Sequence, residues 1–250
     1  MPMNPRLLRP TASGAAFTPA TLSGLIGWYD SLDLTAMAQN SDGTGAVAVG
    51  DPVGYWADKS GGGNHVTQAT AANRPTLTAA AVNGRAALVF DGSNDNLSRA
   101  SYTAQNSLSG LTRIAVYSTG QASMMGRVFS GGGDVPFQTV SSTLRSTVTD
   151  GNGVSVPAVG SLPLRIYASV FDGSLPQMNI LFDNVAQAAT TIGTLPATTG
   201  AGNPTLHIGS NVGANNFNDG PIAEYIIYSR ALSSGELTAV YQHLRKKWAF

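Results

Sequence analysis

The sequence predicts an all-β chain: a β-sandwich of antiparallel strands, closed by one short C-terminal helix. Three observations carry this. Turn signals built on Gly, Asn and Asp recur at short intervals between short apolar runs, which is the pattern of a sandwich. Almost no stretch before Ser233 has helical periodicity. No fixed-period repeat is visible, which excludes a propeller or a solenoid.

In chain order, residues 1–21 read as an extended N-terminal arm. Pro2, Pro5, Pro10 and Pro19 disfavour both helix and central strand there. Its middle, Arg6, Leu7, Leu8 and Arg9, is the expected assembly segment, because two adjacent leucines are poorly placed in a purely solvated tail; the alternative is a disordered tail. Residues 22–250 are expected to form one domain. Leu25–Asp30 is its first strand, followed by a short one at 53–56 and a turn-rich loop at 58–65. Arg85–Asp91 follows Asn83-Gly84 and ends in Asp91-Gly92, so turn signals bracket it. Further strands are expected at 111–117, 127–129, 136–140, 144–148, 164–171, 177–182, 205–208 and 221–228. Of these, 164–171 and 177–182 read as neighbours across Asp172-Gly173.

The closing segment carries the most local detail. Ile222, Ile226 and Tyr228 fall on one side of the last strand, with Tyr225 and Ile227 on the other. Ser233 and Glu236 spell a capping box, with Leu232 and Leu237 as its hydrophobic staple. Leu237, Val240, Tyr241, Leu244 and Trp248 then recur at helical spacing, and Arg245, Lys246 and Lys247 place positive charge at the helix's negative end. Glu224 is expected on the Ile222 and Ile226 face, partly buried and paired with Arg230 or another donor.

Composition narrows the partners. Only 11% of the 250 residues are charged, against roughly 25% in an ordinary globular protein. Lysine stands only at Lys59, Lys246 and Lys247, and glutamate only at Glu224 and Glu236. A net charge of zero argues against nucleic acid or an anionic membrane as a partner. A weakly charged surface has little repulsion to prevent self-association, so a homo-oligomer is expected. With no cysteine there is no disulfide framework and no thiolate zinc site. No run approaches the roughly 20 apolar residues of a membrane span. The first ten residues lack the apolar stretch of a secretory signal.

Enzymatic motifs are scarce. Glycoside hydrolysis needs two carboxyls about 5–9.5 Å apart, and the strand pattern that supplies them in glucanases has no counterpart around Glu224 or Glu236. No Gly-x-Ser-x-Gly elbow occurs, and His65, His207 and His243 do not stand at metal spacing on a helix. The glycines at 61–63 and 131–133 lack the lysine and helix of a phosphate loop. The expectation is therefore a protein that is not an enzyme.

Calcium is the one metal to consider, and no other cofactor is expected. Asp91, Asp95 and Asn96 supply hard oxygen donors in one short loop. The alternative is a turn in which Asp91 and Asn94 cap backbone amides. A sugar would need an exposed aromatic over a groove. Trp28, Trp56 and Tyr102 could serve, although the expected place of Trp28 and Trp56 is the core between the sheets. The amide-rich loop holding Asn215, Asn216, Phe217 and Asn218 could contact a glycan or a subunit, or simply be solvated.

Four blocks carry a family likeness. They are Gly-Leu-Ile-Gly-Trp-Tyr-Asp at 24–30, Asp-Lys-Ser-Gly-Gly-Gly-Asn-His at 58–65, Ala-Leu-Val-Phe-Asp-Gly-Ser-Asn-Asp-Asn-Leu at 87–97, and the closing strand with its Arg-Ala-Leu-Ser and helix. In this order they resemble a laminin-G-like domain of the concanavalin A-like superfamily, spanning nearly the whole chain; the resemblance implies a jelly-roll β-sandwich of two antiparallel sheets. The Asp95-Asn96 pair also resembles that of the related pentraxins' calcium site, but for the acidic cluster of a later loop Asp134 and Asp150 are candidates by position alone. Arm and domain together look like proteins of tailed-phage particles. That resemblance implies a non-enzymatic virion structural protein, a capsid or tail decoration that docks on other virion proteins through its arm. It would be assembled in the host cytoplasm and released by lysis. The alternatives are a carbohydrate-binding adhesin of the virion surface directed at a host surface glycan, with or without calcium, and a glycoside hydrolase.

Overall fold

The computed structural model describes residues 16–120, 125–129, 132–134, 137–140, 143–149, 151–157, 161–210 and 216–250. In chain order its strands are β1 (Leu25–Asp30), β2 (Met37–Ala38), β3 (Tyr55–Trp56), β4 (Val66–Thr67), β5 (Thr76–Val82), β6 (Arg85–Asp91) and β7 (Leu97–Arg99). They continue with β8 (Gly110–Thr119), β9 (Met125–Phe129), β10 (Gly132–Asp134), β11 (Gln138–Val140), β12 (Thr143–Thr149) and β13 (Asn152–Pro157). The last are β14 (Leu162–Asp172), β15 (Gln177–Phe182), β16 (Val185–Ala186), β17 (Thr190–Ile192), β18 (Thr205–Ile208) and β19 (Asp219–Tyr228), before helix α1 (Ser234–Trp248).

These strands form three antiparallel sheets, not the two expected. The first runs β16-β15-β14-β8-β19-β6-β5, with β1 also paired to β19; the second runs β10-β9-β18-β7-β4-β3-β2; the third is β11-β12-β13-β17. The third sheet is separate because β11, β12 and β13 pair with one another and with β17 rather than with a strand of the second sheet. β14 and β15 are neighbours, as their turn signal predicts.

The first sheet is covered on both faces. One core cluster joins Tyr29, Tyr117, Tyr225 and Ile227 of this sheet to Trp56, Leu97, Leu206 and Ile208 of the second and to Leu144 and Val154 of the third. The opposite face, with Ile114, Val116, Ile226 and Tyr228, packs on Leu237, Val240, Leu244 and Trp248 of α1. Because both faces are covered, β8 is buried along nearly its whole length and β19 from Ile222 onward, polar residues such as Arg113 and Glu224 included. Residues 16–21 belong to the helix layer: Phe17 meets His243 edge to face at 5.8 Å, and the Tyr228 hydroxyl donates to the Pro19 carbonyl at 2.9 Å. Arg6, Leu7, Leu8 and Arg9 lie outside the described residues.

β19 departs from simple alternation. Ile222 joins Tyr225 and Ile227 in the core between the sheets, while Ile226 and Tyr228 face the helix. The cause is a register shift against β8 between Ile222 and Glu224, where one extra residue turns the strand over. It falls where β19 stops pairing with β6, at Ile222, and starts pairing with β1, at Glu224.

The helix start is as the sequence spells it. The Ser233 hydroxyl accepts the Glu236 amide, and the Glu236 carboxylate accepts the Ser233 amide. Leu232 and Leu237 are both buried in the helix-side core. Arg230 does not reach Glu224. It pairs with Glu236 at 2.6 Å, which together with the cap's donors pulls that carboxyl down to about 2.

Glu224 is instead a fully buried clasp. One oxygen accepts the Trp28 indole N–H at 2.8 Å; the other accepts the Trp248 indole N–H at 2.7 Å and the Lys247 ammonium at 2.7 Å. Asp30 stands directly across from Glu224 in the β1–β19 pair and shares Lys247 at 2.7 Å. Lys59 bonds Asp30 at 2.9 Å and Asp33 at 2.7 Å. Burial pushes Glu224 above its ordinary range, with Lys247 pulling the other way. Burial also opposes ionisation of Asp30, but Lys247 and Lys59 together outweigh it and hold that carboxyl low. Removing one partner of such a buried pair costs about 3–5 kcal/mol. Glu224→Ala is therefore expected to lower the midpoint of thermal unfolding by roughly 10 °C, whereas an unchanged midpoint in calorimetry would show that the clasp is dispensable.

Candidate functional site

The second sheet turns one face to the core and the other outward. Trp56, Val66, Leu97, Leu206 and Ile208 point inward and are buried. Strand alternation therefore puts Tyr55, Thr67, Ser98 and His207 outside. Register lines them up: Tyr55 lies opposite Thr67, Thr67 opposite Ser98, and Ser98 opposite His207. A groove of about 390 Å³ opens on this row, within the roughly 300–1,000 Å³ of ligand sites. Tyr55, His65, Thr67, Ser98 and Arg99 line it. The Tyr55 ring leans on the His65 imidazole, with centroids 5.3 Å apart.

The wall of the groove is built by loop 58–65. The Asp58 carboxylate accepts the amides of Trp28, Ser60 and Asn64 at 2.9–3.1 Å, which fixes the turn and fastens it to β1. The Tyr29 hydroxyl donates to the Asn64 carbonyl. At the loop's end, His65 Nδ1 accepts the Asp58 amide at 3.0 Å. A neutral imidazole bonded in this way carries its proton on Nε2, so the ring's free edge is a donor. Tyr55 supplies an apolar ring, Thr67 and Ser98 supply hydroxyls that donate and accept, and His65 supplies a set donor.

The aromatics named from sequence are elsewhere. Trp56 and Tyr102 are fully buried in the core. Trp28 is half-buried, bonded to Glu224 and covered by the Lys59 ammonium 4.5 Å from its ring. The signal for Tyr55 was present: in a two-residue strand, a core Trp56 puts its neighbour outside.

The Asp91 loop is organised by backbone. Asp91 Oδ1 accepts the amides of Ser93, Asn94 and Asp95 at 2.8–3.2 Å, and Asp95 Oδ2 accepts the Asp91 amide at 3.1 Å. Asn96 donates to the Asn94 carbonyl. Asn94 does not cap; its Oδ1 is buried without a partner. Among the described residues no three His, Asp or Glu side chains converge as metal ligands. In the amide-rich loop, Asn215 lies outside the described residues. Asn216 and Phe217 are half-exposed, and Asn218 is fully buried, its side chain donating to the Gly220 carbonyl at 2.8 Å and its own carbonyl accepting the Gly92 amide at 2.8 Å.

The sequence offered Glu224 no carboxyl partner, but the structure supplies Asp30. Both bond the Lys247 ammonium at 2.7 Å, so they form a neighbouring carboxyl pair, the kind of pair that glycosidases use. Both are buried and ion-paired, with 0% and 5% of their surface exposed.

No family model matches the sequence, and no curated protein matches it significantly. Solved structures do share its fold. A Trypanosoma rangeli sialidase in complex with a difluoro-nononic acid aligns with a TM-score of 0.56 and 13% identity, over 90% of this chain and 33% of the sialidase. A GH54 α-L-arabinofuranosidase soaked with a cyclic sulfate inhibitor aligns with a TM-score of 0.53 and 15% identity, over 88% of this chain and 62% of the enzyme. The chain thus spans a third of the first and under two thirds of the second. At this identity the likeness concerns the fold, which is a β-sandwich. It corrects two expectations. Both proteins are glycosidases, so the likeness stands against the reading as a non-enzymatic virion decoration. The prediction that the chain is not an enzyme falls with it, since carbohydrate-active enzymes carry this fold.

Asp95 gives a pH-dependent test. Burial, reinforced by the negative charge of Asp91, raises its carboxyl to about 6. An acid raised in the folded state favours folding below its unfolded value of about 4 and loses that contribution as pH rises towards 6. Asp95→Asn keeps an acceptor for the Asp91 amide. It is expected to stabilise the fold at pH 7.5 by about 1 kcal/mol, or ~2–4 °C, and to have little effect near pH 4. Equal effects at both pH values in thermal melts would contradict this.

Proposed function

We propose that the chain is a carbohydrate-binding β-sandwich, laminin-G-like in the order of its motifs, which holds a sugar chain against the outward face of its second sheet. The observation that carries this is Tyr55. It is an aromatic ring on a sheet-face groove, flanked by the hydroxyls of Thr67 and Ser98 and by the donor edge of His65. A pyranose has an apolar C–H face and a rim of hydroxyls. The groove offers one surface for each, and ligand sites of this kind combine an apolar floor with a few placed polar groups. The fold shared with a sialidase and an arabinofuranosidase supports a role in sugar recognition.

Glycoside hydrolysis is the second reading, favoured by one observation: the Asp30 and Glu224 pair. It requires those carboxyls to become accessible to a substrate.

A glycan array followed by calorimetry tests the proposal. Tyr55→Ala is expected to melt as the parent does and to bind the selected glycan about tenfold more weakly or worse. Undiminished binding by this variant would move the site elsewhere, and a protein that retains no glycan would overturn the function. Release of reducing ends from the bound glycan, abolished by Asp30→Asn, would favour the hydrolase.

A further inference from the structure

Arg99 is the one groove residue that sugar hydroxyls alone do not explain. It ends β7, is exposed and lines the groove beside Ser98 and His65. Most of the chain's described arginines are committed. Arg74 donates to the carbonyls of Gln68 and Ala69, Arg113 to Ser146 and the Thr147 carbonyl, and Arg245 to the Phe250 carbonyl. Arg165 and Arg230 pair with Asp183 and Glu236. Its backbone pairs with Leu206 in the sheet, but among the described residues the Arg99 side chain has no hydrogen bond and no ion pair, and no acidic side chain lines the groove. In a chain with so few charges, an unpaired guanidinium beside an aromatic floor is a specific feature.

We propose that the groove takes an acidic sugar, and that Arg99 holds the carboxylate of a uronic acid unit. This rests on the carbohydrate-binding reading and sharpens it. A guanidinium presents a planar fork that matches a carboxylate with two parallel charge-assisted bonds. His65 adds a donor whose position is fixed through Asp58, and Tyr55 takes the ring of the same or the next unit. The charge selects the acid, and the aromatic floor makes the ligand a sugar rather than a free anion.

The test uses the full chain and three uronate probes: oligogalacturonate, oligomannuronate and hyaluronan oligosaccharides, each set against its own methyl ester. The ester keeps the ring and removes the charge. At least one acid is expected to bind about tenfold or more tightly than its ester. Arg99→Gln is expected to abolish that preference while retaining the ester's weaker binding, and Tyr55→Ala to weaken both forms. Arg99→Lys, which keeps the charge without the fork, should recover part of the preference. Equal affinity for every acid and its ester would overturn the acidic specificity and leave carbohydrate binding standing. A preference that survives Arg99→Gln would overturn the role of Arg99. Failure to bind any acid, any ester or any neutral glycan would remove the carbohydrate reading itself.

Discussion

The buried carboxylate of Glu224 is the interaction on which the rest of the structure depends. It takes an indole N–H from Trp28 in the first strand, and a second indole N–H and an ammonium from Trp248 and Lys247 at the end of the last helix. The beginning and end of the domain thus meet on one side chain of β19, the strand between them. Replacing a buried ion pair with apolar residues is often neutral, so the value of the clasp lies in specificity. Two indoles and a lysine satisfied in one geometry fix where α1 lies on the first sheet and which way β1 runs along β19.

The clasp also reaches the groove. The Trp28 side chain bonds Glu224, and its backbone amide bonds the Asp58 carboxylate. The Asp58 amide in turn bonds His65 Nδ1. The Lys59 amide donates to the Trp28 carbonyl at 2.7 Å, and the Lys59 ammonium bonds Asp30. The loop that walls the groove is therefore carried by β1, the strand the clasp holds. Charge is scarce in this chain, and most of what is buried goes into this path. The family-like block at 58–65 positions the site through Asp58 and lends it only one functional side chain, His65.

What the sequence made legible was local. Ser233 and Glu236 are three residues apart, and their capping box, staple and helix stripe follow from helical geometry alone. β6 and the β14–β15 pair were bracketed by turn residues. What stayed hidden was long-range or broken in period. Trp28 and Glu224 are 196 residues apart, so composition could show that Glu224 was unusual without showing its partners. The register shift in β19 moved Ile222 to the opposite face from the one its spacing gave. Tyr55 sits in a strand of two residues, where a core Trp56 is the single mark of its outward place, and Arg99 gains meaning only from the groove it lines. The virion reading rested on an arm and a domain type, neither of which reports on a binding face.

Solution NMR of the His65 ring during a sugar titration is the decisive measurement. The imidazole is expected to be protonated at Nε2, with Nδ1 an acceptor. Sugar is expected to move the His65 Nε2 resonance and the amides of Tyr55 and Ser98, while the Trp28 and Trp248 indole resonances stay in place. A proton on Nδ1, or sugar-induced shifts confined to the indoles or to residues 216–218, would contradict this placement of the site.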